Sequence, residues 1–373
     1  MKVKKSLLLM IINMNIGGTE KALLNMLAEI ESEEYDVTLL MLEKYGGFLE
    51  EVPQWVNIKY LSRYADLKSL LNNPLHDSAI QCLKQFNLTK FFQLSFIYLV
   101  TKITGHQIFL YKYLLKKQPL SQECYDIAIA YAGPMDFISY YVINKINAKK
   151  KVQWIHFDVT KIAFNYNFAK IIYPKFDHIF VVSKEGKEKL LQLMPQLDEK
   201  VDVFQNIISK DLVIKKSKED KGFIDDYQGI RILTVGRLDF IKGQDLCIEA
   251  ARLLRQEGYD FRWYCVGEGI FRKELEKLIK QYRLEHHFIL LGSSINPYPY
   301  MAECDLYVQP SRHEGFCITL GEAKIFNRPI ISTNFTGAKE QLKYYSFYSE
   351  IVSVDVLGIT KSIKKWLNKQ KLS

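Results

Sequence analysis

The stretch Asp305-Leu306-Tyr307-Val308-Gln309-Pro310, followed by Ser311-Arg312-His313-Glu314-Gly315-Phe316 and by Thr319-Leu320-Gly321-Glu322-Ala323, is typical of one structural unit. Its apolar start predicts a short buried strand, and residues 319–327 predict a helix that Pro329 closes. A strand that leads through a loop into a helix is the repeating unit of a parallel α/β sheet. We therefore expect Glu314 in the strand-to-helix loop and Glu322 in the first turn of the helix.

The two glutamates of this unit, Glu314 and Glu322, have seven residues between them and would both lie at the carboxyl end of the strand. Open α/β sheets bind ligands at that edge. Carboxylates accept hydrogen bonds from hydroxyl groups, so the pair favours a polyhydroxylated ligand such as a sugar or a ribose. Thr319-x-x-Glu322 also fits a capping box, which stabilises a helix without any ligand. Both interpretations remain open for this segment taken alone.

A second strand-loop-helix unit carries two cations. Residues 231–235 predict a compact apolar strand that ends in Gly236-Arg237-Leu238-Asp239, and Lys242-Gly243 opens a helix that runs through Leu254. Arg237 and Lys242 at a glycine-containing strand end, beside a helix N-terminus, favour a site for a multiply charged anion. The alternative is that both are ordinary solvated surface charges.

Another predicted strand, residues 261–266, ends in Gly267-Glu268-Gly269. Glycines at a strand end allow backbone to approach a flat base or a sugar closely. The same pattern is common in plain turns, so it is weak evidence by itself.

Strands and helices alternate along the whole chain, which predicts an α/β fold of two Rossmann-like halves. We predict an N-terminal domain over 1–206, a charge-rich linker over 207–229 and a C-terminal domain over 230–357. A final helix over 358–373 is expected to pack back on the N-terminal domain. The predicted strands lie at 7–12, 37–42, 127–131, 152–156 and 178–182 in the first half, and at 232–235, 263–266, 288–291, 306–309 and 330–332 in the second.

Length and composition agree with two globular domains. The chain has 373 residues, and its hydrophobic content of 48% with 25% charged residues is that of a folded protein. Its six cysteines are scattered without a Cys-x-x-Cys pair, which favours a reducing cytoplasm and no structural metal. The short apolar run at 7–12 is expected to be a strand rather than part of a signal peptide.

Two glycines follow the first predicted strand. Gly17-Gly18-Thr19-Glu20 precedes a predicted helix, so backbone amides could approach a ligand there, although a structural turn is the alternative. The spaced Gly-x-Gly-x-x-Gly of dinucleotide-binding proteins is absent, which argues against an NAD-dependent oxidoreductase.

Residues 63–118 form a basic, aromatic, predominantly helical insertion that carries most of the net charge of +9. This composition fits docking on an anionic bilayer, but the aromatic side chains could equally pack into the N-terminal core. Lys102 and His106 interrupt the apolar run, which argues against a membrane-spanning helix. Nucleic acid is not expected as a partner, because no recognised binding motif accompanies the charge. Its aromatic residues include Phe86, Phe91, Phe92, Phe96, Tyr98, Phe109, Tyr111 and Tyr113.

Taken together, these motifs resemble the family 4 glycosyltransferases of the GT-B fold, above all the bacterial enzymes that build capsular and other surface polysaccharides. The resemblance implies two Rossmann-like domains facing across a cleft, and retaining transfer from a nucleotide-sugar donor without a metal or other cofactor. It rests on Gly17 to Glu20, Trp154-Ile155-His156, Gly236-Arg237 with Lys242-Gly243, Val266 to Gly269, and Ser311 through Ala323.

The resemblance also implies roles for residues. Glu314, His156, Arg237 and Lys242 would be catalytic, with Arg237 and Lys242 neutralising the diphosphate and Glu314 holding the sugar. Glu322 would bind the ribose, and Gly17, Gly18 and Asp158 would line the acceptor side. The remaining donor-binding positions would be Gly236, Gly267, Glu268, Gly315, Phe316, Thr319 and Leu320.

Two positions depart from the family pattern. Ile207 follows Asn206 where the family often has glycine, and Thr336 precedes Gly337 where the family commonly has a second glycine. These departures put a ligand role for Asn206 in doubt and suggest a different contact between the 336–340 loop and the diphosphate.

The expected function is that of a cytoplasmic enzyme, peripheral on the inner face of the plasma membrane, that transfers sugar to a lipid-linked or saccharide acceptor. Two alternatives remain. A non-catalytic partner subunit would keep the fold and pocket, and a glycoside hydrolase would also use two carboxylates, although it needs no cationic diphosphate site.

Overall fold

The computed structural model describes residues 4–370 and divides into two compact units. The N-terminal unit comprises the residues through Asn15, Ile30–Val182 and Lys187–Phe204. The C-terminal unit comprises Ile16–Glu29, Ser183–Gly186 and the residues from Gln205 onward. Two short pieces of the first half of the sequence therefore group with the second half.

The N-terminal unit contains a seven-stranded, fully parallel sheet with strand order β3-β2-β1-β4-β5-β6-β7. Its central strands are nearly continuous apolar runs, as expected when helices cover both faces of a parallel sheet. The strands are β1 (Lys5–Ile11), β2 (Tyr35–Met41), β3 (Asn57–Tyr60), β4 (Cys124–Gly133), β5 (Asn147–Ile155), β6 (His178–Val181) and β7 (Val201–Val203).

The helical insertion predicted at 63–118 consists of four helices between β3 and β4. The helices of the first half of the chain are α1 (Gly18–Glu29), α2 (Tyr64–Asn72), α3 (Leu75–Lys84), α4 (Leu88–Thr104), α5 (Ile108–Leu114), α6 (Asp136–Lys145), α7 (Tyr166–Ile172) and α8 (Lys184–Leu193). Leu110, Tyr111 and Leu114 of α5 are buried in the main core of this unit. Among residues 4–370, no helix combines the length and the apolar character needed to cross a bilayer.

The C-terminal unit contains a six-stranded, fully parallel sheet with strand order β10-β9-β8-β11-β12-β13. Two apolar clusters, one containing Trp263 and Ile248 and the other containing Tyr264 and Leu320, take alternate residues of β9. Successive side chains of a strand point to opposite faces, so helices cover both sides of this sheet. The strands are β8 (Arg231–Val235), β9 (Arg262–Val266), β10 (Phe288–Gly292), β11 (Leu306–Gln309), β12 (Ile330–Thr333) and β13 (Ser349–Val352). The helices are α9 (Lys210–Lys216), α10 (Gln244–Gln256), α11 (Arg272–Gln281), α12 (Tyr298–Glu303), α13 (Ile318–Lys324), α14 (Ala338–Leu342) and α15 (Val356–Gln370).

The α/β fold class with two parallel sheets is confirmed, and every predicted strand overlaps an observed one. Sequence patterns missed β3, β7 and β13, which are short edge strands. Their residues are mostly half-buried or exposed, so they lack the apolar run that marks the central strands.

The charge-rich segment predicted as a linker, 207–229, is built into the C-terminal unit. Val213 of α9 is fully buried, and Asp225 forms ion pairs with Arg231 and Arg262, both at 3.0 Å. Glu303 accepts hydrogen bonds from the backbone of Gly222 and Phe223, both at 3.1 Å. Asp225 and the backbone of Gly222 and Phe223 therefore tie this segment to the C-terminal unit, which a composition-based prediction does not reveal.

The final helix packs within the C-terminal unit. Buried residues of α15, among them Ile359, Ile363 and Trp366, belong to the core of the C-terminal unit, where the helix packs on α10. These apolar positions form one helical face that the α10 side of the sheet covers, and packing of this helix on the N-terminal domain stays a prediction. Residues 371–373 of the predicted helix lie outside the described residues.

Candidate functional site

The loop that follows β8 is held in a defined shape by its own neighbours. The Gln244 amide donates hydrogen bonds to the carbonyls of Arg237 at 3.0 Å and of Gly236 at 3.4 Å. Gly243 has φ +73°, and a Cβ there would lie 2.1 Å from the Pro310 carbonyl oxygen, so only glycine fits. The Arg237 side chain is 66% exposed, and its contact with the Asp239 carboxylate is long, at 3.9 Å. Its guanidinium is therefore open to a further anionic partner.

Lys242 and Glu314 form the ion pair at the centre of this site. The ammonium nitrogen lies 2.6 Å from Glu314 Oε1, and both side chains are largely removed from solvent. Burial alone would lower the pKa of Lys242, but the Glu314 carboxylate offsets that effect and raises the pKa above its ordinary value. Lys242 is therefore a fully charged cation at neutral pH.

Arg312 joins the loop that follows β11 to the turn before α10. Its guanidinium donates to both carboxylate oxygens of Asp245, at 2.7 and 2.6 Å, and to the Phe240 carbonyl at 2.6 Å. It also stacks over the Phe240 ring at 3.9 Å from the centroid. A bidentate pair of this kind fixes geometry as well as position. Sequence analysis did not single out Arg312, because nothing in the local pattern identifies Asp245 as its partner.

A buried hydrogen-bond chain orients Glu314. Gln309 donates to Ser311 Oγ at 2.9 Å, and Ser311 Oγ donates to Glu314 Oε1 at 2.7 Å. Thr319 Oγ1 donates to Gln309 Oε1 at 3.1 Å, and Tyr307 donates to the same oxygen at 2.8 Å. The predicted donor residue Thr319 therefore supports the Glu314 arrangement through Gln309. Alternation in β11 could have suggested that Gln309 is inward-facing and therefore in need of partners.

The two glycines after β9 are explained by loop packing. A Cβ on Gly267 would lie 2.0 Å from the Gly236 carbonyl oxygen, and one on Gly269 would lie 2.1 Å from the Leu238 carbonyl oxygen. These glycines therefore let the 267–269 loop lie directly against the loop that carries Arg237. Glu268 pairs with Arg272 one helical turn further on. The structure shows a close approach of these glycines to protein backbone, and their predicted approach to a base or a sugar stays a prediction.

The segment before α13 is strained. Cys317 has a positive φ of 54° and precedes the first helical residue without a side-chain cap. A non-glycine residue in this region costs roughly 1–3 kcal/mol and is a common feature of functional loops. The Gln341 side chain holds the loop by donating to the carbonyls of Phe316 and Cys317. Gly315, Phe316 and Leu320 are buried here, and the Leu320 side chain belongs to the apolar core.

Glu322 lies in a buried polar cluster and not in a capping box. Tyr298 donates to Glu322 Oε1 at 2.7 Å, and the carboxyl group is almost fully buried. Burial raises the pKa of Glu322, while the charge of Lys21 opposes that shift. Lys21 of α1 in turn lies over the Tyr298 ring at 4.6 Å from its centroid. The carboxylate is thus engaged with α12 and α1, in the same unit as the Lys242–Glu314 pair.

Residues that follow β1 also bear on the electrostatics of this unit. A Cβ on Gly17 would lie 2.5 Å from the Glu20 carboxylate, whereas Gly18 has open space around it. Burial raises the pKa of Glu20, and the positive charge of Arg237 counteracts the shift. Gly18 is therefore the glycine of this pair whose backbone is sterically accessible to a ligand.

His156 follows β5 in the N-terminal unit and is buried. Its ring packs against Tyr131 and Trp154, with centroids 4.6 and 6.0 Å away. Desolvation lowers the pKa of His156 to about 3, so the imidazole is neutral at physiological pH. Its Nε2 atom has no hydrogen-bond partner within residues 4–370, although buried polar atoms nearly always have one. A bound ligand would supply that partner.

Asp158 is already engaged within the N-terminal unit. One carboxylate oxygen accepts from Lys189 at 2.8 Å, and the other accepts from the backbone and hydroxyl of Thr160 at 2.9 and 2.6 Å. These contacts orient Lys189 and the 158–160 turn. The predicted acceptor contact of Asp158 stays a prediction.

The 336–340 loop, which departs from the family pattern, is held by hydrogen bonds to acidic side chains. Glu185 accepts from the Gly337 backbone at 3.1 Å, and Glu340 accepts from the Lys184 backbone at 3.0 Å and the Gln205 side chain at 2.5 Å. Asn206 Oδ1 is buried without a hydrogen-bond partner in the described part of the chain. The 336–340 loop is therefore fixed by acidic side chains at the start of α8 and within α14.

No group of three or more His, Cys, Asp or Glu side chains in residues 4–370 is arranged to hold a metal ion. The six cysteines are all free thiols.

Comparison with known proteins points to one family. Residues 215–373 match the family model of the group 1 glycosyl transferases. A Campylobacter jejuni relative, N-acetylgalactosamine-N,N'-diacetylbacillosaminyl-diphospho-undecaprenol 4-alpha-N-acetylgalactosaminyltransferase, is 33% identical over 185 residues, which cover 50% of this chain and 49% of the relative. The putative colanic acid biosynthesis glycosyltransferase WcaL of Escherichia coli is 32% identical over 119 residues, or 30% of this chain and 29% of WcaL. The chain thus spans about half the length of the first relative and under a third of the second.

Solved structures extend the likeness to the whole chain. HepE of Anabaena, solved in complex with UDP and glucose, superposes with a TM-score of 0.67 at 17% identity and covers 98% of this chain and 90% of HepE. At this identity the likeness establishes the fold, which is the two-domain α/β architecture expected from the sequence.

Proposed function

We propose that this chain, whose residues 215–373 match the group 1 glycosyl transferases and which has the GT-B fold, transfers a sugar from a nucleotide-sugar donor to a saccharide acceptor in bacterial surface polysaccharide synthesis. The observation that carries the proposal is the Lys242–Glu314 pair held beside the exposed guanidinium of Arg237. The two cations are suited to the diphosphate of a nucleotide-sugar, and the neighbouring carboxylate is suited to the hydroxyl groups of its sugar.

Arg237 and Lys242 are proposed to bind the donor diphosphate. Negative charge grows on this group as the bond between sugar and phosphate breaks, so fixed cations stabilise the transition state more than the ground state. Lys242 is fully charged, and Glu314, Gln244 and the Gly243 turn fix its position. Such preorganised charges need no reorientation during the reaction.

Glu314 is proposed to hold hydroxyl groups of the donor sugar and to steady an oxocarbenium-like centre. Within residues 4–370, Oε1 accepts both hydrogen bonds to the carboxylate, from Lys242 and Ser311, which leaves the second oxygen, Oε2, for a sugar hydroxyl. Glu322 is proposed to bind the ribose. The ribose would then replace part of the contact that Glu322 makes with Tyr298 or with α1.

We further propose retention of anomeric configuration without a metal. The acceptor hydroxyl would attack from the face of the leaving group, and a diphosphate oxygen would take its proton. This route suits His156, which is neutral and cannot serve as a strong acid, yet offers a ring nitrogen for a sugar hydroxyl. Gly17, Gly18 and Asp158 remain the proposed acceptor-side residues.

The proposed acceptor is a lipid-linked saccharide at the cytoplasmic face of the plasma membrane. The name of the C. jejuni relative places a diphospho-undecaprenol saccharide as its acceptor, and HepE is solved with UDP. A uridine nucleotide-sugar is therefore the first donor to test, and an undecaprenyl diphosphate saccharide the first acceptor.

The deciding experiment combines a thermal-shift screen of nucleotide-sugars with a donor-turnover assay for wild type and Arg237→Ala. A ligand that binds only the folded state raises its apparent stability. We expect one nucleotide-sugar to stabilise the wild type, and Arg237→Ala to lose turnover while keeping its melting temperature, because Arg237 is largely exposed. Stabilisation without any turnover by the wild type would favour the non-catalytic partner subunit. No stabilisation by any nucleotide-sugar would overturn the proposal.

A further inference from the structure

Helix α4 presents large apolar side chains to solvent. Leu88, Phe92, Phe96, Leu99 and Ile103 are each between 54 and 76% exposed. We refer to these five residues as the α4 stripe. Isolated exposed apolar residues are ordinary, but a contiguous set of large ones marks a binding surface.

The α4 stripe occupies the side of the helix opposite to the one that packs on protein. At about 100° per residue, its five members fall within an arc of roughly 80°. Leu94 and Ile97, the buried residues of α4, lie on the far side of the helix. Leu94 packs with Ala79 and Cys82 of α3. One face of α4 therefore packs on protein, and no element within residues 4–370 buries the α4 stripe on the other face.

The apolar surface continues at the N-terminal end of the helix. Phe86, in the turn that leads into α4, is 91% exposed, and Ile80 and Leu83 of the neighbouring α3 are also exposed. Phe86 has a positive φ of 56°, so a strained turn holds an aromatic ring in solvent. Both the backbone strain and the exposure of the ring are unfavourable, and a binding partner that buries the ring would offset them.

Unpaired lysines occur in the same helical insertion as the α4 stripe. Lys84, Lys90 and Lys102 belong to α3 and α4, and Lys112, Lys116 and Lys117 follow on α5 and the turn after it. None of these six has an ion-pair partner within residues 4–370, whereas Lys68 pairs with Glu43 and Arg63 with Asp66. The insertion therefore combines an apolar face with an uncompensated positive charge.

We propose that α4 lies in the interface of an anionic bilayer, with the α4 stripe buried at the boundary between headgroups and acyl chains and the six lysines among the headgroups. An amphipathic helix with a basic polar face binds membranes in this way. The inference deepens the proposed function and rests on it, because a lipid-linked acceptor brings the enzyme to the membrane. A second copy of the chain is the less suitable occupant, since a symmetric contact would place the same unpaired lysines opposite each other.

The test is co-flotation of the full chain with phosphatidylcholine vesicles that do or do not contain phosphatidylglycerol. Wild type is expected to bind the anionic vesicles and to be released by salt only in part, because the apolar contribution is not screened. Phe92→Ser with Phe96→Ser should lower vesicle binding roughly tenfold or more, given the apolar area withdrawn from the bilayer. Leu99→Ser with Ile103→Ser, on the same face, should act in the same direction.

Matched controls come from the C-terminal unit, where Ile224 and Ile270 are 92 and 94% exposed. Ile224→Ser with Ile270→Ser should leave vesicle binding unchanged. Unchanged binding in both α4 double variants, or binding abolished entirely by salt, would overturn insertion of the stripe. Light scattering that shows a wild-type dimer converted to monomer by the α4 variants would assign the stripe to a second copy and also overturn the proposal.

Donor turnover with a water-soluble acceptor separates this inference from the proposed function. The α4 variants should retain wild-type turnover there, since α4 is not part of the Lys242–Glu314 site. If the wild type binds vesicles through the stripe but turns over no donor, membrane docking is supported and the proposed transferase activity is overturned.

Discussion

Lys242 Nζ lies 2.6 Å from Glu314 Oε1, although 72 positions separate the two residues in the chain. Lys242 precedes α10, and Glu314 lies between β11 and α13. The pairing exists because β8 and β11 are neighbours in the parallel sheet, so the loops at their carboxyl ends meet. A nucleotide-sugar at this edge would meet the cation and the carboxylate together.

Removal of Lys242 is expected to affect both stability and turnover. Lys242→Met leaves a largely buried Glu314 carboxylate without its counter-ion, which should cost about 3 kcal/mol of unfolding free energy. Adding Glu314→Gln should recover much of that loss, because no unpaired charge remains. Turnover should fall roughly 10²–10³-fold in Lys242→Met, the scale for one preorganised charge, and should not recover in the double variant.

Calorimetric melting and donor turnover of the single and double variants test this expectation. If Glu314→Gln fails to restore stability, the pair is not a desolvated ion pair of the kind described. If Lys242→Met keeps wild-type turnover, the proposal that Lys242 stabilises the donor diphosphate is wrong.

Ser311 is expected to position Glu314 without contacting the substrate. Ser311→Ala removes a hydrogen bond of 2.7 Å to the carboxylate and leaves Gln309 without an acceptor. Hydrogen bonds to charged groups contribute about 1.5–3 kcal/mol, so kcat should fall roughly tenfold or more with the ion pair still present. A steady-state comparison checks this, and Ser311→Thr should retain more activity because it keeps the hydroxyl. Equal losses in the alanine and threonine variants would contradict a role for the hydroxyl.

The motifs that could be read from the sequence are those that are local. Glu314, Arg237 and Lys242 stand out because a strand, a glycine-containing turn and a helix start follow one another in the chain, and the structure brings all three to one unit. Gln309 and Arg312 were missed because their importance depends on Ser311, Thr319 and Asp245 in three dimensions. Local sequence patterns do not specify such pairings.

The helical insertion shows a different limit of sequence analysis. Apolar spacing in residues 88–103 identifies a face of α4 but does not say what covers it. The structure divides the apolar residues of α4 between two faces, with Leu94 and Ile97 buried and Phe92 and Phe96 exposed. The core interpretation is therefore correct for buried aromatic residues such as Tyr111, whereas docking of the exposed residues on a bilayer stays a prediction.

Gly267 should be intolerant of a side chain, because a Cβ would lie 2.0 Å from the Gly236 carbonyl oxygen. Gly267→Ala must displace the loop that carries Arg237, so we expect weaker donor binding together with lower stability. Gly258→Ala is the matched control: Gly258 also has a positive φ, +82°, but open space around its Cβ position. Isothermal titration with the preferred nucleotide-sugar compares the two. Equal donor affinity in both variants would show that loop packing at Gly267 does not position Arg237.

His156 gives a prediction about pH. Burial lowers its pKa from the ordinary 6.5 to about 3, so between these values the unfolded chain binds a proton that the folded chain does not. The stability associated with neutral His156 is therefore fully present above pH 6.5 and is lost progressively as pH falls towards 3. His156→Gln cannot titrate, so the stability of wild type relative to this variant should decline on acidification across that window.

Thermal or urea unfolding of wild type and His156→Gln at a series of pH values measures this difference directly. A constant difference between pH 7 and pH 4 would mean that His156 is not desolvated. The same burial predicts that the pH profile of kcat has no inflection from His156 near 6.5. A limb near that pH that disappears in His156→Gln would instead identify the imidazole as a proton donor or acceptor in the reaction. The neutral, buried state of the ring argues against that role.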